Sequence, residues 1–255
     1  MADHHDTHAL VIGGTQGLGH AIAERLIADG CTNVIIAGRD IAKGKAAAAE
    51  IGATFRAVDL ADTGAVMALV DDAATTMGRL DALVNAAAMT DRGSILDTTP
   101  DRWDQIMTAN ARSPFFAIQR TAQLAIDAGH PARVVNILSM VIHGGQSFLA
   151  PYSASKAALA NVTRNAAQAL RQHRIQVNGI ACGWMDTPGE DMIQRRYHDG
   201  GDDWLAKAEA KQPFGMLVKP VHVAELASYM LSPSSGVMTG SVVDFDQHVA
   251  GAYPE

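Results

Sequence analysis

Several features that would place this chain in a specialised class are scarce or missing. It has only two cysteines, Cys31 and Cys182, which is too few for a disulfide framework and predicts reduced thiols in a cytoplasmic protein. No run of five basic residues occurs and the net charge is −7, so nucleic acid is not expected as a partner. No apolar run reaches membrane-spanning length, and the polar, acidic residues 1–8 are unlike a signal peptide.

The composition favours a compact core. Hydrophobic residues make up 48% of the 255 residues and charged residues 18%, which argues against disorder. We predict a single domain over residues 1–255, with residues 1–8 as a flexible N-terminal tail. The tail carries His4, His5 and His8, which we interpret as solvated side chains and not as a metal site.

Short apolar stretches alternate with helical patterns along the whole chain. The predicted strands are 9–12, 33–37, 54–58, 82–84, 134–138, 176–180 and 241–245. A long helix is predicted from Pro100 to about Ala128, with an irregularity near Pro114. The charged region 188–215 is predicted to leave the core as a substrate lid. This order predicts an α/β fold with a doubly wound, seven-stranded parallel sheet and helices on both faces.

A glycine-rich turn follows the first strand and opens the first helix. Gly13, Gly17 and Gly19 let the backbone turn tightly and approach a pyrophosphate, which would sit at the helix N-terminus. Their spacing is G-x-x-x-G-x-G, which differs from the commonest dinucleotide fingerprint, G-x-G-x-x-G. Taken alone, such a turn also suits a tight connection without a ligand.

The end of the second strand bears on the choice of cofactor. Gly38 leaves the strand end without a carboxylate for the adenosine ribose. Arg39 is placed to pair with a 2′-phosphate, which favours NADP(H) and leaves NAD(H) as the alternative. Asp40 is also well placed to cap the helix that opens at Ile41.

Three polar residues between positions 139 and 156 suggest proton-transfer chemistry. Tyr152 and Lys156 are four residues apart, so they lie on one face of a helix, where the ammonium is expected to lower the pKa of the phenol. Ser139 ends a strand, at the edge where open parallel sheets bind ligands. By itself, the Tyr-x-x-x-Lys pattern also fits a solvated surface helix.

In their order and spacing, these motifs resemble the short-chain dehydrogenase/reductase family over essentially the whole chain. The resemblance rests on the glycine turn, Asp59, Asn85-Ala86-Ala87, Asn110, Ser139 and Tyr152-x-x-x-Lys156. It implies a Rossmann-type domain whose cofactor-binding residues are Gly13, Thr15, Gln16, Gly17, Leu18, Gly19, Arg39, Asp59, Leu60, Asn85, Ala86, Tyr152, Lys156, Gly183 and Thr187.

The resemblance also implies individual roles. Asp59 contacts the adenine, Asn85 lines the adenosine ribose side, and Thr187 meets the nicotinamide carboxamide. The catalytic tetrad consists of Asn110, Ser139, Tyr152 and Lys156. In it, Tyr152 is the acid/base, Ser139 holds the substrate oxygen, Lys156 stabilises the phenolate and binds the ribose, and Asn110 joins Lys156 to solvent through a water.

The chain departs from the family pattern at a few loop positions. They are Gly14, Ala88, Cys182 and the pair Asp246-Gln247, the last two standing in place of a proline and a late Gly-Gly. None of these changes removes a chemical group that the reaction needs, so they bear on loop detail and substrate fit.

The predicted function is an NAD(P)(H)-dependent oxidoreductase that interconverts a secondary alcohol and a ketone. Candidate pocket residues are Met89, Thr90, His143, Gln146, Phe148, Trp184 and Trp204, and the polar pair His143 and Gln146 suits a sugar or polyol. One alternative is a 3-oxoacyl-thioester reductase, for which Arg195-Arg196 is the basic cluster near the lid. The other is a nucleotide-binding regulator without turnover. The resemblance also implies a homotetramer.

Overall fold

Seven parallel strands form one sheet in the order β3-β2-β1-β4-β5-β6-β7, which confirms the predicted doubly wound fold. The computed structural model describes residues 2–198 and 200–252. The strands are β1 His8–Ile12, β2 Asn33–Gly38, β3 Thr54–Ala57, β4 Ala82–Asn85, β5 Ala132–Ser139, β6 Ile175–Cys182 and β7 Val242–Phe245.

The helices cover both faces of this sheet. They are α1 Gly17–Ala28, α2 Ile41–Ile51, α3 Thr63–Met77, α4 Pro100–Met107, α5 Ser113–Ala128, α6 Ala150–Leu170, α7 Pro188–Tyr197, α8 Trp204–Glu209 and α9 Pro220–Leu231. Adjacent strand residues point to opposite faces, so Val11 packs with α1, α2 and α9 whereas Leu10 packs with α3 and α5. The five inner strands, β1, β2, β4, β5 and β6, are buried on both faces, which explains their apolar runs, whereas the edge strands β3 and β7 are partly exposed.

The helix expected over residues 100–128 is interrupted. A short π-helical segment, Thr108–Arg112, separates α4 from α5 and carries the fully buried Asn110 at its centre. Pro114 has no N–H to donate to the carbonyl of Asn110, four residues earlier, so a regular α-helix cannot continue through this point. The predicted irregularity is therefore present, slightly upstream of the proline.

The N-terminal segment is packed against the domain, so the expected flexible tail is wrong for its described part. His4 is only 1% exposed. Its Nε2 lies 3.0 Å from the Ser228 hydroxyl in α9, and its backbone N–H donates to the Asp29 carbonyl. The other two histidines have different neighbours, because His5 contacts Asp3 and His8 contacts Asp81. The sequence did not reveal the contact with Ser228, since that residue lies 224 positions away.

Residues 188–215 leave the sheet as α7 and α8 and are tied back by charge. Lys219 Nζ lies 2.8 Å from the Asp186 carboxylate and 2.6 Å from that of Glu209. Trp204 anchors a small apolar cluster with Ala208 and Leu217. Within residues 2–198 and 200–252, no helix combines the length and the hydropathy that a bilayer crossing requires.

The buried His4 generates a prediction about stability. Burial lowers the pKa of His4 below its ordinary value of 6.5, so the folded protein keeps the ring neutral where the unfolded chain already binds a proton. The contribution of His4 to stability is therefore present above pH 6.5 and is lost as the pH falls through the lower folded-state pKa. His4→Gln should cost about 1–2 kcal/mol at pH 7.5 and flatten the acid-side loss.

Urea unfolding followed at pH 7.5 and pH 5.0 measures this effect. The exposed His5→Gln variant serves as the control, because it should keep the wild-type pH dependence on the acid side. If His4→Gln lost as much stability as wild type between pH 7.5 and pH 5.0, the pH dependence would belong to other groups.

Candidate active site

Tyr152, Ser139 and Lys156 meet at the carboxyl end of β5. Ser139 is the last residue of β5, and Tyr152 and Lys156 lie one turn apart in the first half of α6. The side chains of Ser139 and Thr90 are close enough to the Tyr152 hydroxyl to lower its pKa. Lys156 Nζ donates to the Ile137 carbonyl at 2.7 Å and lies 5.8 Å from the centre of the Tyr152 ring. The structure thus brings together the three residues that the sequence singled out.

Burial dominates the electrostatics of this site. It raises the pKa of Tyr152 to about 12, and the hydrogen bonds from Ser139 and Thr90 offset this only in part. It also lowers the pKa of Lys156 to about 8. Our expectation that Lys156 brings the pKa of the phenol down is therefore wrong for the protein's own groups. The reason is that removing the phenolate from water costs more free energy than the neighbouring Ser139 and Thr90 side chains offset.

Asn110 holds two segments of the site together. Its Oδ1 accepts from the Met89 N–H at 2.7 Å, and its Nδ2 donates to the Met89 carbonyl at 2.9 Å and to the Ser155 hydroxyl at 3.0 Å. Ser155 in turn donates to the Tyr152 carbonyl at 2.7 Å. This network joins the loop after β4 to the first turn of α6, and Ser155 is a positioning residue that the sequence analysis missed.

The glycine turn fits a dinucleotide pyrophosphate. Gly13 and Gly17 have φ angles of +90° and +54°, and a Cβ on Gly13 would lie 2.4 Å from the Ala87 nitrogen. A Cβ on Gly19 would lie 2.2 Å from the Gly13 carbonyl oxygen. Helix α1 begins here without a side-chain cap or an acidic residue in its first turn, so its N–H groups are available to an anion. Leu18 packs into the core beneath the turn.

Two cations lie on the adenosine side of this turn. Asp40 accepts from the Lys43 N–H at 2.9 Å, so its carboxylate caps α2 as the sequence predicted. The Lys43 ammonium contacts the Gln16 side chain, and Arg39, the residue before Asp40, is exposed. Thr15 packs against the end of β2, since a Cβ on Gly38 would lie 2.9 Å from its side chain. Lys43 is a second candidate phosphate ligand that the sequence analysis missed.

The other residues expected to contact the adenosine are engaged in hydrogen bonds within the protein. Asp59 is exposed and accepts from the Ala61 N–H at 3.0 Å. Asn85 is buried, and its Nδ2 donates to the Asn136 Oδ1 at 2.8 Å within the sheet. The backbone of Ala86 donates to the Ile12 carbonyl, and the Leu60 carbonyl accepts from Ser113. The Asn85 amide therefore stabilises the pairing of β4 and β5, which differs from the expected position along the ribose.

Aromatic and cationic side chains form a cluster around Arg92. Its guanidinium lies 4.5 Å from the centre of the Phe148 ring and 5.4 Å from that of Tyr197. His198 contacts both Arg92 and Phe148, and the Tyr197 hydroxyl donates to Asp91 at 3.2 Å. These contacts join the end of α7 to the loops after β4 and β5.

The other predicted pocket residues differ in their surroundings. His143 Nε2 lies 2.8 Å from the Asp244 carboxylate of β7, and Gln146 is exposed. Trp184 is 40% exposed, whereas Trp204 is 8% exposed. Trp204 is therefore part of the small core of the 188–215 segment and presents little surface to the cleft.

The unusual residues after β6 and β7 have packing roles. A Cβ on Gly183 would lie 2.1 Å from the Asp246 carboxylate, so this glycine is required by its neighbour. Gln247 accepts from the Phe214 N–H at 2.9 Å and donates to the Met216 carbonyl at 2.8 Å. Thr187 caps α7 by accepting from the Glu190 N–H at 3.1 Å.

Comparison with known proteins gives consistent matches over nearly the full length. A family model described as enoyl-(acyl carrier protein) reductase matches residues 13–247. Sorbitol dehydrogenase from Cereibacter sphaeroides is 28% identical over 93% of this chain and 95% of that protein. Galactitol 2-dehydrogenase from Agrobacterium fabrum is 31% identical over the same shares. A variant of actinorhodin polyketide ketoreductase solved with NADPH has a TM-score of 0.87 and 27% identity, covering 95% of this chain and 97% of that one.

The fold and the Tyr152–Lys156–Ser139 arrangement define a hydride-transferring enzyme of the nicotinamide-dependent class. The chain belongs to the short-chain dehydrogenase/reductase family, which confirms the resemblance drawn from its motifs. It is an NAD(P)-dependent alcohol dehydrogenase/carbonyl reductase that interconverts a secondary alcohol and a ketone.

The pKa values of the site predict the pH dependence of ketone reduction. With Tyr152 near 12 and Lys156 near 8, both groups carry their protons at pH 7. We expect kcat/KM to be flat below pH 8 and to fall above it as Lys156 loses its proton. Lys156→Arg should lower the rate by about a hundredfold and move the decline to higher pH, because a guanidinium stays charged.

Initial rates of ketone reduction from pH 6 to pH 10 measure both profiles. Lys211→Arg, an exposed residue beyond α8, is the matched control and should keep the wild-type profile. A decline that stays near pH 8 in Lys156→Arg would mean that another group titrates there.

Proposed function

We propose that the enzyme oxidises a secondary hydroxyl group of a sugar alcohol, or reduces the corresponding keto sugar, with NADP(H) as the preferred cofactor. The observation that carries the reaction is the position of Tyr152 near Ser139 and 5.8 Å, measured to its ring centre, from the ammonium of the buried Lys156. The polyol substrate is supported by the names of the sorbitol and galactitol dehydrogenases and by the polar residues His143 and Gln146 at the cleft.

In this proposal the protein positions the substrate and moves one proton. Ser139 holds the substrate oxygen by a hydrogen bond, and Tyr152 gives its hydroxyl proton to that oxygen during reduction or takes it during oxidation. When bound, the nicotinamide ring supplies or accepts the hydride. Lys156 stabilises the phenolate that remains after reduction. Asn110 acts in the proton relay through its backbone carbonyl, because its amide is already engaged by Met89 and Ser155.

The cofactor would be held by the glycine turn and by the two cations beside it. The pyrophosphate would lie at the uncapped N-terminus of α1, and Thr187 would meet the carboxamide. Arg39 and Lys43 would bind the 2′-phosphate of NADP(H), because the nearest carboxylate, Asp40, is occupied in capping α2. The actinorhodin ketoreductase structure with NADPH supports the same preference.

Residues 188–215 would act as the substrate lid. Tyr197 and His198 make polar or aromatic contacts with the loop residues Asp91, Arg92 and Phe148. Because none of these residues belongs to a strand, breaking the contacts would leave the core of the sheet intact. By family resemblance we also propose that the protein is a homotetramer and is located in the cytoplasm. Sedimentation of the purified protein tests the oligomeric state.

A thioester reductase is the rival hypothesis. It would use Arg195-Arg196 to attract an acidic carrier protein. Arg195, however, is already paired with Asp191 and Asp202, which reduces the positive charge that it presents. This pairing favours a polyol substrate over a thioester substrate.

A substrate panel with a Tyr152→Phe variant tests the proposed reaction. Wild-type protein should oxidise sorbitol and galactitol faster than it reduces a 3-oxoacyl thioester. Tyr152→Phe should lose about a thousandfold in kcat, because the proton donor is gone, and should bind the dinucleotide within about threefold of wild type. Faster turnover of the thioester would overturn the polyol assignment, and full activity in Tyr152→Phe would overturn the role of the phenol.

The cofactor preference is tested by titrating NADPH and NADH into wild type and Arg39→Ala. The variant should bind NADPH about 10- to 100-fold more weakly, since a charged hydrogen bond to phosphate is lost, and NADH within about twofold of wild type. Lys43→Ala should also weaken the binding of NADPH more than that of NADH. Lys45→Ala, an exposed residue on the same helix, is the control. Equal affinity of wild type for both cofactors would contradict the role given to Arg39 and Lys43.

A further inference from the structure

Glu190 lies in the first turn of α7, against the glycine turn. Thr187 caps this turn by accepting the Glu190 N–H at 3.1 Å. A Cβ added to Gly17 would lie 3.6 Å from the Thr187 side chain, and one added to Gly189 would lie 4.0 Å from the Gln16 amide nitrogen. The start of α7 is thus fixed over the predicted cofactor site, and Glu190 follows directly.

Two neutral donors hold the Glu190 carboxylate in place. Its Oε1 accepts from the Trp184 indole N–H at 2.8 Å and from the Gln194 amide at 2.6 Å. No lysine or arginine in residues 2–198 and 200–252 pairs with it, and the nearby Arg195 is bound to Asp191 instead. The carboxylate is half-buried, and in the same ranges only Oε1 accepts hydrogen bonds, so Oε2 has no hydrogen-bond donor.

Trp184, which donates to this carboxylate, follows the strand end beside the reacting groups, because Cys182, two residues earlier in β6, is the register partner of Ser139 in β5. Burial raises the pKa of Tyr152 first, and the negative charge of Glu190 adds to that rise. Trp184, which orients the carboxylate, is 40% exposed and lies 6.5 Å from Trp204, centre to centre. The segment that follows the end of β6 thus carries a carboxylate acceptor hydrogen-bonded to an exposed aromatic ring.

The chemistry of this pair is selective. An ionised carboxylate accepts hydrogen bonds and donates none, so it suits a substrate with hydroxyl groups beside the reacting carbon. An indole face suits the C–H face of a carbon chain. The fixed negative charge disfavours a carboxylate or phosphate on the substrate, because like charges repel strongly where water is partly excluded.

We infer that Glu190, oriented by Trp184 and Gln194, is a specificity-determining residue that selects neutral polyhydroxylated substrates over anionic ones. This inference rests on the proposed polyol oxidation and adds the residue that recognises the neighbouring hydroxyl groups. Glu190 was not among the residues that the sequence pattern singled out.

The test compares wild type with Glu190→Gln on three probes: sorbitol as the neutral polyol, gluconate as its anionic counterpart, and 2-butanol as a secondary alcohol without further hydroxyls. Glu190→Gln should lower kcat/KM for sorbitol at least about tenfold, mainly through KM, and change 2-butanol less than about twofold. The ratio of gluconate to sorbitol activity should rise at least about tenfold. Glu190→Asp, which keeps the charge, should retain the wild-type ratio.

Glu24→Gln, an exposed residue of α1, controls for the loss of one negative charge elsewhere and should leave all three activities unchanged. Thermal melting and dinucleotide binding check that the Glu190→Gln protein is folded. An unchanged gluconate-to-sorbitol ratio in Glu190→Gln, or equal losses on sorbitol and 2-butanol, would overturn the inference. A wild type that oxidises 2-butanol and leaves sorbitol untouched would instead overturn the proposed polyol function.

Discussion

The buried ammonium of Lys156 is the constraint on which the site depends. It is 2% exposed, and among the described residues no carboxylate neutralises it. Its hydrogen bond to the protein goes to the Ile137 carbonyl. Pairing between β4 and β5 ends at Asn136, one residue earlier, so the sheet leaves this carbonyl available at its edge. The end of a strand ladder therefore determines where a cation can be buried, and burial lowers its pKa.

The interruption between α4 and α5 serves the same region of the molecule. Pro114 prevents a regular helix, and the resulting π segment places Asn110 in the core, where its amide bonds the Met89 backbone and Ser155. Ser155 then fixes the turn that carries Tyr152. A local irregularity in one helix thus positions a side chain in another, without contacting the phenol itself.

Local signals in the sequence predicted most of the fold and part of the site. Strand runs, the glycine turn, the cap at Asp40 and the pair Tyr152 and Lys156 all depend on residues within a few positions of one another. Such signals do not predict contacts between residues that are far apart in the sequence. His4 bonds Ser228, and Asn85 turns towards Asn136, because partners 224 and 51 positions away decide where those side chains lie. Trp204 was misread as a pocket residue, since its exposure depends on how α8 folds back.

The segment 188–215 combines weak packing with selective chemistry. Its apolar core is small and centred on Trp204. Polar contacts link it to the rest of the domain: Lys219 to Glu209, Gln247 to the backbone N–H of Phe214, and Tyr197 to Asp91. Polar surface links contribute little to stability compared with buried apolar area, so opening the proposed lid would cost less free energy than unfolding any strand. Glu190 lies on this segment, whereas Tyr152 and Lys156 lie on the rigid edge of the sheet. Substrate selection is therefore free to vary with the segment while the proton-transfer geometry stays fixed.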